Sequence, residues 1–112
     1  MHEQTLPIPV GFRLLVKMYI SPEKTSSGLY RPETAKTIED SASICAQIVD
    51  MGPTAYQDAE KFPSGPWAKP ADWVVLRSYS GTRMKINGEE YRLINDDMVE
   101  AVVNDPDTVG RV

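Results

Sequence analysis

The sequence predicts an all-β domain, a small barrel built from short strands. Runs of alternating or wholly apolar residues recur along the chain, and nine prolines and seven glycines punctuate it. The pair Asn87-Gly88 stands between two such runs, which is a strong signal for a tight β-hairpin. A chain of 112 residues has room for one compact domain, so we expect residues 1–112 to form a single one.

The first predicted strand covers residues 12–20. Four of its apolar side chains share one face, which is the period of a strand, and two basic residues lie on the other face, which Leu15 and Tyr19 make partly apolar. Pro7, Pro9 and Gly11 precede it and argue against the start of a helix. The apolar face consists of Phe12, Leu14, Val16 and Met18, and the basic residues are Arg13 and Lys17.

Residues 21–41 show neither the period of a strand nor that of a helix. The segment is rich in Ser and Thr, contains Pro22, Gly28 and Pro32, and carries few apolar residues. A loop of about 20 residues is uncommon in a compact domain and is usually functional or disordered. We therefore expect a long loop with a functional role between the first two strands.

The second predicted strand covers residues 42–51 and ends at Gly52-Pro53, a turn signal. Residues 53–71 contain Pro63, Pro66 and Pro70, a density that argues against a helix and favours an irregular connection. The rest of the chain is β-like. Its predicted parts are a buried strand at 73–76, a hairpin of 83–86 with 89–94, a turn at 95–98, a strand at 99–103 and a polar tail at 104–112.

Composition narrows the function classes. The net charge is −4 and the pI is about 4.9, so the basic surface that binds nucleic acid or an anionic membrane is not expected. No apolar run approaches the ~18 residues of a membrane span, and the N-terminus lacks the pattern of a signal peptide. A single cysteine excludes an intrachain disulfide. These features predict a cytoplasmic protein.

The sequence predicts no catalytic site, no metal site and no cofactor. His2 stands near the terminus without a partner nearby in sequence, and Cys45 lies in an apolar segment where a packed thiol is expected. Asp96-Asp97 are adjacent on a predicted turn, where they would point apart and bond neighbouring amides. We find no motif typical of metalloproteases, hydrolases or phosphate-binding loops.

Several segments, in order along nearly the whole chain, resemble the GroES-type co-chaperonins of the chaperonin-10 family. Residues 8–17 resemble the proline-containing opening strand, and residues 47–52 the glycine-terminated strand after the mobile loop. Residues 69–75 resemble the family's Val-Gly-Asp-x-Val segment, and residues 89–99 its glutamate-led strand, acidic turn and closing strand. The aromatic segment around Trp67 and Trp73 is similar to that of co-chaperonins encoded by bacteriophages.

The resemblance implies that residues 21–41 are the mobile loop that binds a GroEL-type chaperonin. Gly28, Leu29 and Tyr30 match the family's glycine and its first two aliphatic positions. Arg31 stands where the third aliphatic residue is expected. The methylene groups of its side chain would then lie on the chaperonin's binding groove while the guanidinium stays in water. The alternative is that Leu29 and Tyr30 fold back onto their own barrel.

The resemblance also implies a ring of seven copies that encloses an unfolded client protein under a lid. Residues 6–10 of one subunit would pair with residues 99–103 of the next, with Pro7 and Pro9 interrupting the pairing. Residues 53–71 take the place of the roof hairpin, where Trp67 either plugs the barrel end or lines the dome. With the phage similarity, the implied client is a capsid protein.

Two other interpretations stay open at this point. The first is a monomeric small-barrel module that binds a peptide or an oligonucleotide, although the acidic charge disfavours the oligonucleotide. The second is a detached GroES-like domain of a zinc alcohol dehydrogenase, which the scarcity of Cys and His ligands disfavours.

Overall fold

The computed structural model describes residues 6–19 and 44–109. These residues contain six strands, two short 3-10 turns and no α-helix. Neither 3-10 turn is long and apolar enough to span a membrane. The strands are β1 (Arg13–Met18), β2 (Cys45–Met51), β3 (Trp73–Val75), β4 (Thr82–Ile86), β5 (Glu89–Asn95) and β6 (Ala101–Val103), and the 3-10 turns cover Asp96–Met98 and Pro106–Thr108.

All six strands belong to one antiparallel sheet, in the order β4-β5-β1-β2-β3-β6. Strand β1 is central because it pairs with β5 on one side and with β2 on the other. Strands β4 and β6 form the two outer edges. The all-β prediction is confirmed, and each predicted strand is present with shorter or shifted ends. Residues 20 and 42–43, at the ends of two predicted strands, lie outside the described residues.

The core follows the alternation expected of strands. Leu14 and Val16 of β1, Ile48 of β2 and Val74 of β3 are fully or almost fully buried. The β1–β2 register shifts between Leu15 and Val16, which marks a β-bulge. Leu15 is also fully buried, so both faces of β1 are covered at this point.

The predicted hairpin is confirmed. Strands β4 and β5 pair from Ile86 opposite Glu89 to Thr82 opposite Leu93. Asn87 and Gly88, the two residues between them, have φ angles of 52° and 84°. Positive φ at both positions is the geometry of the tight turn that the Asn-Gly pair favours.

Residues 53–71 form a chain of turns without a strand or helix, as the prolines predicted. This connection nonetheless contributes to the core, since its four buried residues pack into the main apolar cluster. Trp67 packs edge-on against Phe62, with ring centroids 4.8 Å apart, and stays 45% exposed. Trp67 therefore packs on the outside of the core, with part of its ring in contact with solvent. The buried residues are Ala55, Tyr56, Phe62 and Ala68.

The described part of the predicted polar tail, residues 104–109, contains a local turn. This is the 3-10 turn Pro106–Thr108, which the Asp105 side chain supports by accepting a hydrogen bond from the amide of Asp107. Asp105 at this position is the usual side-chain cap of a short helical turn. The composition of the segment indicated solvent exposure but did not indicate this local order.

Candidate interaction site

The predicted chaperonin-binding residues Gly28, Leu29, Tyr30 and Arg31 lie outside the described residues. The structure does describe the points at which this connection leaves and re-enters the sheet. Tyr19 follows β1 and Ile44 precedes β2, and the Tyr19 amide donates to the Cys45 carbonyl oxygen at 2.9 Å. Because β1 and β2 are adjacent and antiparallel, residues 20–43 begin and end at one place on the sheet.

The edge strand β6 is apolar and exposed. Val102 lies opposite Val74 in the β3–β6 pairing, and residues opposite each other share a face of the sheet. Val74 is fully buried, yet Val102 is 46% exposed, because β6 lies at the sheet edge. Within residues 6–19 and 44–109, β6 pairs only with β3. No other described residue pairs with its outer side.

The N-terminal segment 6–10, which forms no strand within its own subunit, presents apolar side chains to solvent. Ile8 is 80% and Val10 is 70% exposed, whereas Pro9 between them is buried. This alternation is that of a strand with one face on its own subunit. Exposed apolar residues in such a row indicate an interaction surface.

A close backbone contact holds the base of this segment. The amide of Gly52 donates to the carbonyl oxygen of Arg13 at 2.8 Å, and the amide of Thr54 donates to that of Gly11 at 3.0 Å. A Cβ atom on Gly52 would lie 2.2 Å from the Gly11 carbonyl oxygen. Glycine at position 52 therefore permits the contact at the base of residues 6–10. The sequence pattern marked Gly52 as a turn residue and as the end of a strand, but not as the site of this contact.

The opposite edge of the sheet is charged. Strand β4 exposes Arg83 and Lys85, and the Arg83 guanidinium lies 5.5 Å from the centre of the Tyr79 ring. Glu90 of β5 accepts from the fully buried Arg92 at 2.9 Å and lies 3.5 Å from Arg83. Charged side chains on an edge strand oppose pairing with another strand.

The acidic pair Asp96-Asp97 has structural contacts, with the two side chains bound to different partners. The Asp96 carboxylate accepts the amide hydrogen of Tyr56 at 2.9 Å, and Asp97 forms an ion pair with Lys61 at 3.0 Å. Both contacts fasten residues 53–71 to the turn after β5. Among the described residues, no group of three or more His, Cys, Asp and Glu side chains is placed to hold a metal ion.

Cys45 is a buried thiol, and His2 lies outside the described residues. Burial raises the pKa of the Cys45 thiol, and the nearby Asp107 carboxylate acts in the same direction. A raised pKa keeps the sulfur protonated and a poor nucleophile at neutral pH.

Sequence reasoning missed one cluster entirely. The Tyr19 hydroxyl donates to the Asp107 carboxylate, which is 88 positions away in the chain. The Tyr19 ring also packs edge-on against Trp73, with centroids 5.1 Å apart. In the sequence, the cluster is represented by an aromatic residue at the end of β1 and an Asp-Pro-Asp sequence in the tail. Nothing in either pattern indicates that the two segments are in contact.

Comparisons with known proteins agree with this architecture. Residues 7–103 match the family described as the chaperonin 10 kDa subunit. A protein named co-chaperonin GroES from Caldicellulosiruptor saccharolyticus is 37% identical over 97 residues, which cover 87% of this chain and 96% of that protein. A protein of the same name from Syntrophomonas wolfei is 37% identical over 98 residues, 86% of this chain and 96% of its own.

A further protein named co-chaperonin GroES, from Lawsonia intracellularis, is 36% identical over 96 residues, which cover 85% of this chain and 89% of that protein. The family match spans every described strand from β1 to β6 and, apart from residue 6, the exposed N-terminal segment. The resemblance found in the sequence is therefore confirmed, and the chain belongs to the chaperonin 10 kDa subunit family.

Proposed function

We propose that this chain is a co-chaperonin subunit, several copies of which form a ring that caps a GroEL-type chaperonin and encloses a folding client. The observation that carries the proposal is the family match over residues 7–103, together with the relatives that are named co-chaperonin GroES. Under this proposal the partner chaperonin hydrolyses the nucleotide and this chain contributes no catalysis. The proposal places the protein in the cytoplasm.

Ring formation is supported by the two exposed apolar segments. Strand β6 and residues 6–10 both present exposed apolar side chains, and both lack a strand partner on at least one side among the described residues. Two different segments on one subunit make a head-to-tail contact, which generates a closed ring when the rotation between subunits closes. We propose that residues 6–10 of one subunit pair with β6 of the next, and that the ring has seven members.

Docking is assigned to residues 21–41, with Gly28, Leu29, Tyr30 and Arg31 as the contact. Burial of Leu29 and Tyr30 would contribute about 1.5–3 kcal/mol each. Ordering a loop costs about 1–2 kcal/mol for each residue fixed, so one copy would bind weakly. Several copies on one ring make the later contacts intramolecular and raise avidity by about 100- to 10,000-fold. Such a lid holds firmly and is still released when its partner changes shape.

The remaining parts of the proposal follow the family. Residues 53–71 would form an irregular roof, in which the half-exposed Trp67 faces the enclosed space. A bacteriophage origin and a capsid client stay predictions from the aromatic segment around Trp67 and Trp73. The monomeric binding module is the rival, and neither the family match nor the two exposed apolar segments favour it.

The deciding experiment measures the mass of the native particle by light scattering after gel filtration, alone and with a GroEL-type chaperonin and ATP. We expect a particle of about seven subunits that shifts onto the chaperonin. In Leu29→Asp the ring should persist while docking is lost. Tyr79→Asp places the same charge on an exposed aromatic position of the β3–β4 connection and should dock normally.

A stable monomer that ignores the chaperonin would refute the proposed function and favour the monomeric module. A ring in which Leu29→Asp docks as well as the unmodified protein would refute only the assignment of the contact residues.

A further inference from the structure

The chain continues beyond the last strand into a turn that the family match does not cover. The match ends at residue 103, and the structure describes residues 104–109 beyond it. Asp105 organises this turn, since its carboxylate accepts from the Asp107 amide at 3.0 Å. The Asp105 carbonyl oxygen also accepts from the Thr108 hydroxyl at 2.8 Å and from the Thr108 amide at 3.1 Å. The turn thus has its own set of hydrogen bonds.

This turn carries a carboxylate to the end of β1. Asp107 accepts the hydroxyl hydrogen of Tyr19, and the Tyr19 ring packs edge-on against Trp73 at an interplanar angle of 74°. Trp73 in turn lies opposite Val103, the last residue of β6 before the turn. Tyr19 is therefore held by β3 beneath it and by the C-terminal turn at its hydroxyl.

Tyr19 occupies the root of the connection between β1 and β2. It is the last described residue before position 20, and its amide bonds to Cys45, the first residue of β2. Asp107 lies near enough to Cys45 for its charge to act on the thiol. The C-terminal turn consequently meets the sheet at the place where residues 20–43 both leave and return.

We propose that residues 104–109 form a C-terminal clamp, in which Tyr19 and Asp107 are positioning residues that fix the root of the docking loop and so strengthen docking. This inference rests on the proposed function of residues 21–41. A residue that is already fixed in the free ring adds no ordering cost when the loop binds its partner. The clamp thereby acts on affinity through residues that do not touch the partner.

The test compares Tyr19→Phe, Asp107→Ala and the double variant with Tyr79→Phe, which removes an exposed tyrosine hydroxyl from the β3–β4 connection. Affinity and dissociation rate are measured for the full-length ring binding a GroEL-type chaperonin with ATP. Loss of one hydrogen bond predicts an affinity weaker by about 2- to 10-fold per loop, magnified through the copies in the ring. The double variant should dock no more weakly than the weaker single variant, because both remove the same contact.

A second readout uses Cys45, the sole cysteine of the chain, as a reporter of the clamp. The rate at which a thiol reagent modifies Cys45 in the free ring should rise several-fold in Tyr19→Phe and stay unchanged in Tyr79→Phe. Tyr19→Phe is the informative variant because it retains the Asp107 charge, so a faster rate reports exposure and not a changed thiol pKa.

The outcomes separate the clamp from the proposed function. If the unmodified ring docks and both clamp variants dock equally well, the clamp is refuted and the lid function stands. A lowered urea midpoint with unchanged docking would show a merely structural turn and also refute the clamp. An unmodified ring that fails to dock refutes the proposed function, and the clamp with it.

Discussion

The two edges of the sheet differ in chemistry although they belong to one layer. Strand β4 exposes Thr82, Arg83 and Lys85, whereas β6 exposes Ala101 and Val102. Cationic side chains on an edge discourage pairing with another strand, and an apolar edge invites it. The difference teaches that the exposed side chains distinguish the two edges of one sheet once the pairing order shows which strands are the edges.

The largest expected effect comes from giving β6 the chemistry of β4. Val102 lies on the same face of the sheet as the buried Val74. Val102→Lys therefore places a charge where the next subunit of the proposed ring would bury it. We expect the ring to dissociate to monomers at micromolar concentration, measured by light scattering after gel filtration. The matched control is Thr82→Lys, which adds a lysine to the β4 edge and should leave the particle mass unchanged.

An intact ring in Val102→Lys would show that β6 is not the subunit contact. Dissociation of Thr82→Lys as well would show that the two edges do not differ in function, and would remove the basis of the comparison.

The second prediction concerns how β4 is held in place. Arg92 is fully buried and bonds to Glu90 and to the carbonyl oxygen of Ser80, while Glu90 also faces Arg83 of β4. Arg92→Met removes one partner of this pair and leaves the largely buried Glu90 carboxylate with fewer donors. Such a change costs about 3–5 kcal/mol in the free energy of unfolding, measured by urea denaturation.

The control for this change is Lys85→Met on the same edge, where an exposed lysine is replaced. It should alter the free energy of unfolding by no more than about 0.5 kcal/mol. Equal effects of Arg92→Met and Lys85→Met would mean that the buried pair does not hold β4.

The third prediction concerns the N-terminal segment that is proposed to pair with β6. In Gly52→Ala the new Cβ would collide with the carbonyl oxygen of Gly11, so the backbone has to shift. We expect a loss of about 2–3 kcal/mol in the free energy of unfolding, together with a weaker ring, because residues 6–10 are displaced. Gly65→Ala is the comparison variant: no atom lies within 4 Å of the added Cβ, but the positive φ of 95° strains any L side chain, so it should lower stability without weakening the ring.

Thermal unfolding and particle mass, measured on the same samples, test this prediction. A Gly52→Ala protein with normal stability and a normal ring would show that the Gly11–Gly52 contact does not direct the N-terminal segment.

The sequence predicted the strands and the hairpin because local signals determine them. The alternation of Leu14 and Val16 and the Asn87-Gly88 pair each act over a few residues, so they can be interpreted without knowing the fold. The difference between the β4 and β6 edges needed the pairing order, since a strand becomes an edge only through its neighbours.

Long-range contacts were the part that sequence patterns did not provide. Tyr19 and Asp107 are 88 positions apart, and the role of Gly52 depends on the backbone of Gly11. The buried core of residues 53–71 was also missed, because prolines identified the segment as irregular but did not indicate that Tyr56 and Phe62 pack inward. The chaperonin-binding residues Gly28 to Arg31 came from family resemblance and stay a prediction.

The smallest expected effect concerns the turn that follows β6 and has no counterpart after β4. The hydrogen bond to Asp107 raises the pKa of Tyr19 to about 12 from the ordinary value of 10, with smaller contributions from burial and from the charges of Asp107, Asp105 and Cys45. A folded-state pKa above the unfolded value means that this contribution to stability is fully present below pH 10. It is lost as the pH rises through about 12.

Tyrosine ionisation can be followed by ultraviolet absorbance between pH 9 and pH 13. Burial also raises the pKa of Tyr56, so the Tyr19 step is isolated as the difference between the unmodified protein and Tyr19→Phe. A step near pH 12 that reverts toward pH 10 in Asp107→Ala would show that the turn after β6 reaches the root of the β1–β2 connection in solution. A step at pH 10 in the unmodified protein would show that the turn does not reach this position in solution. The ordered part of the chain would then end with β6.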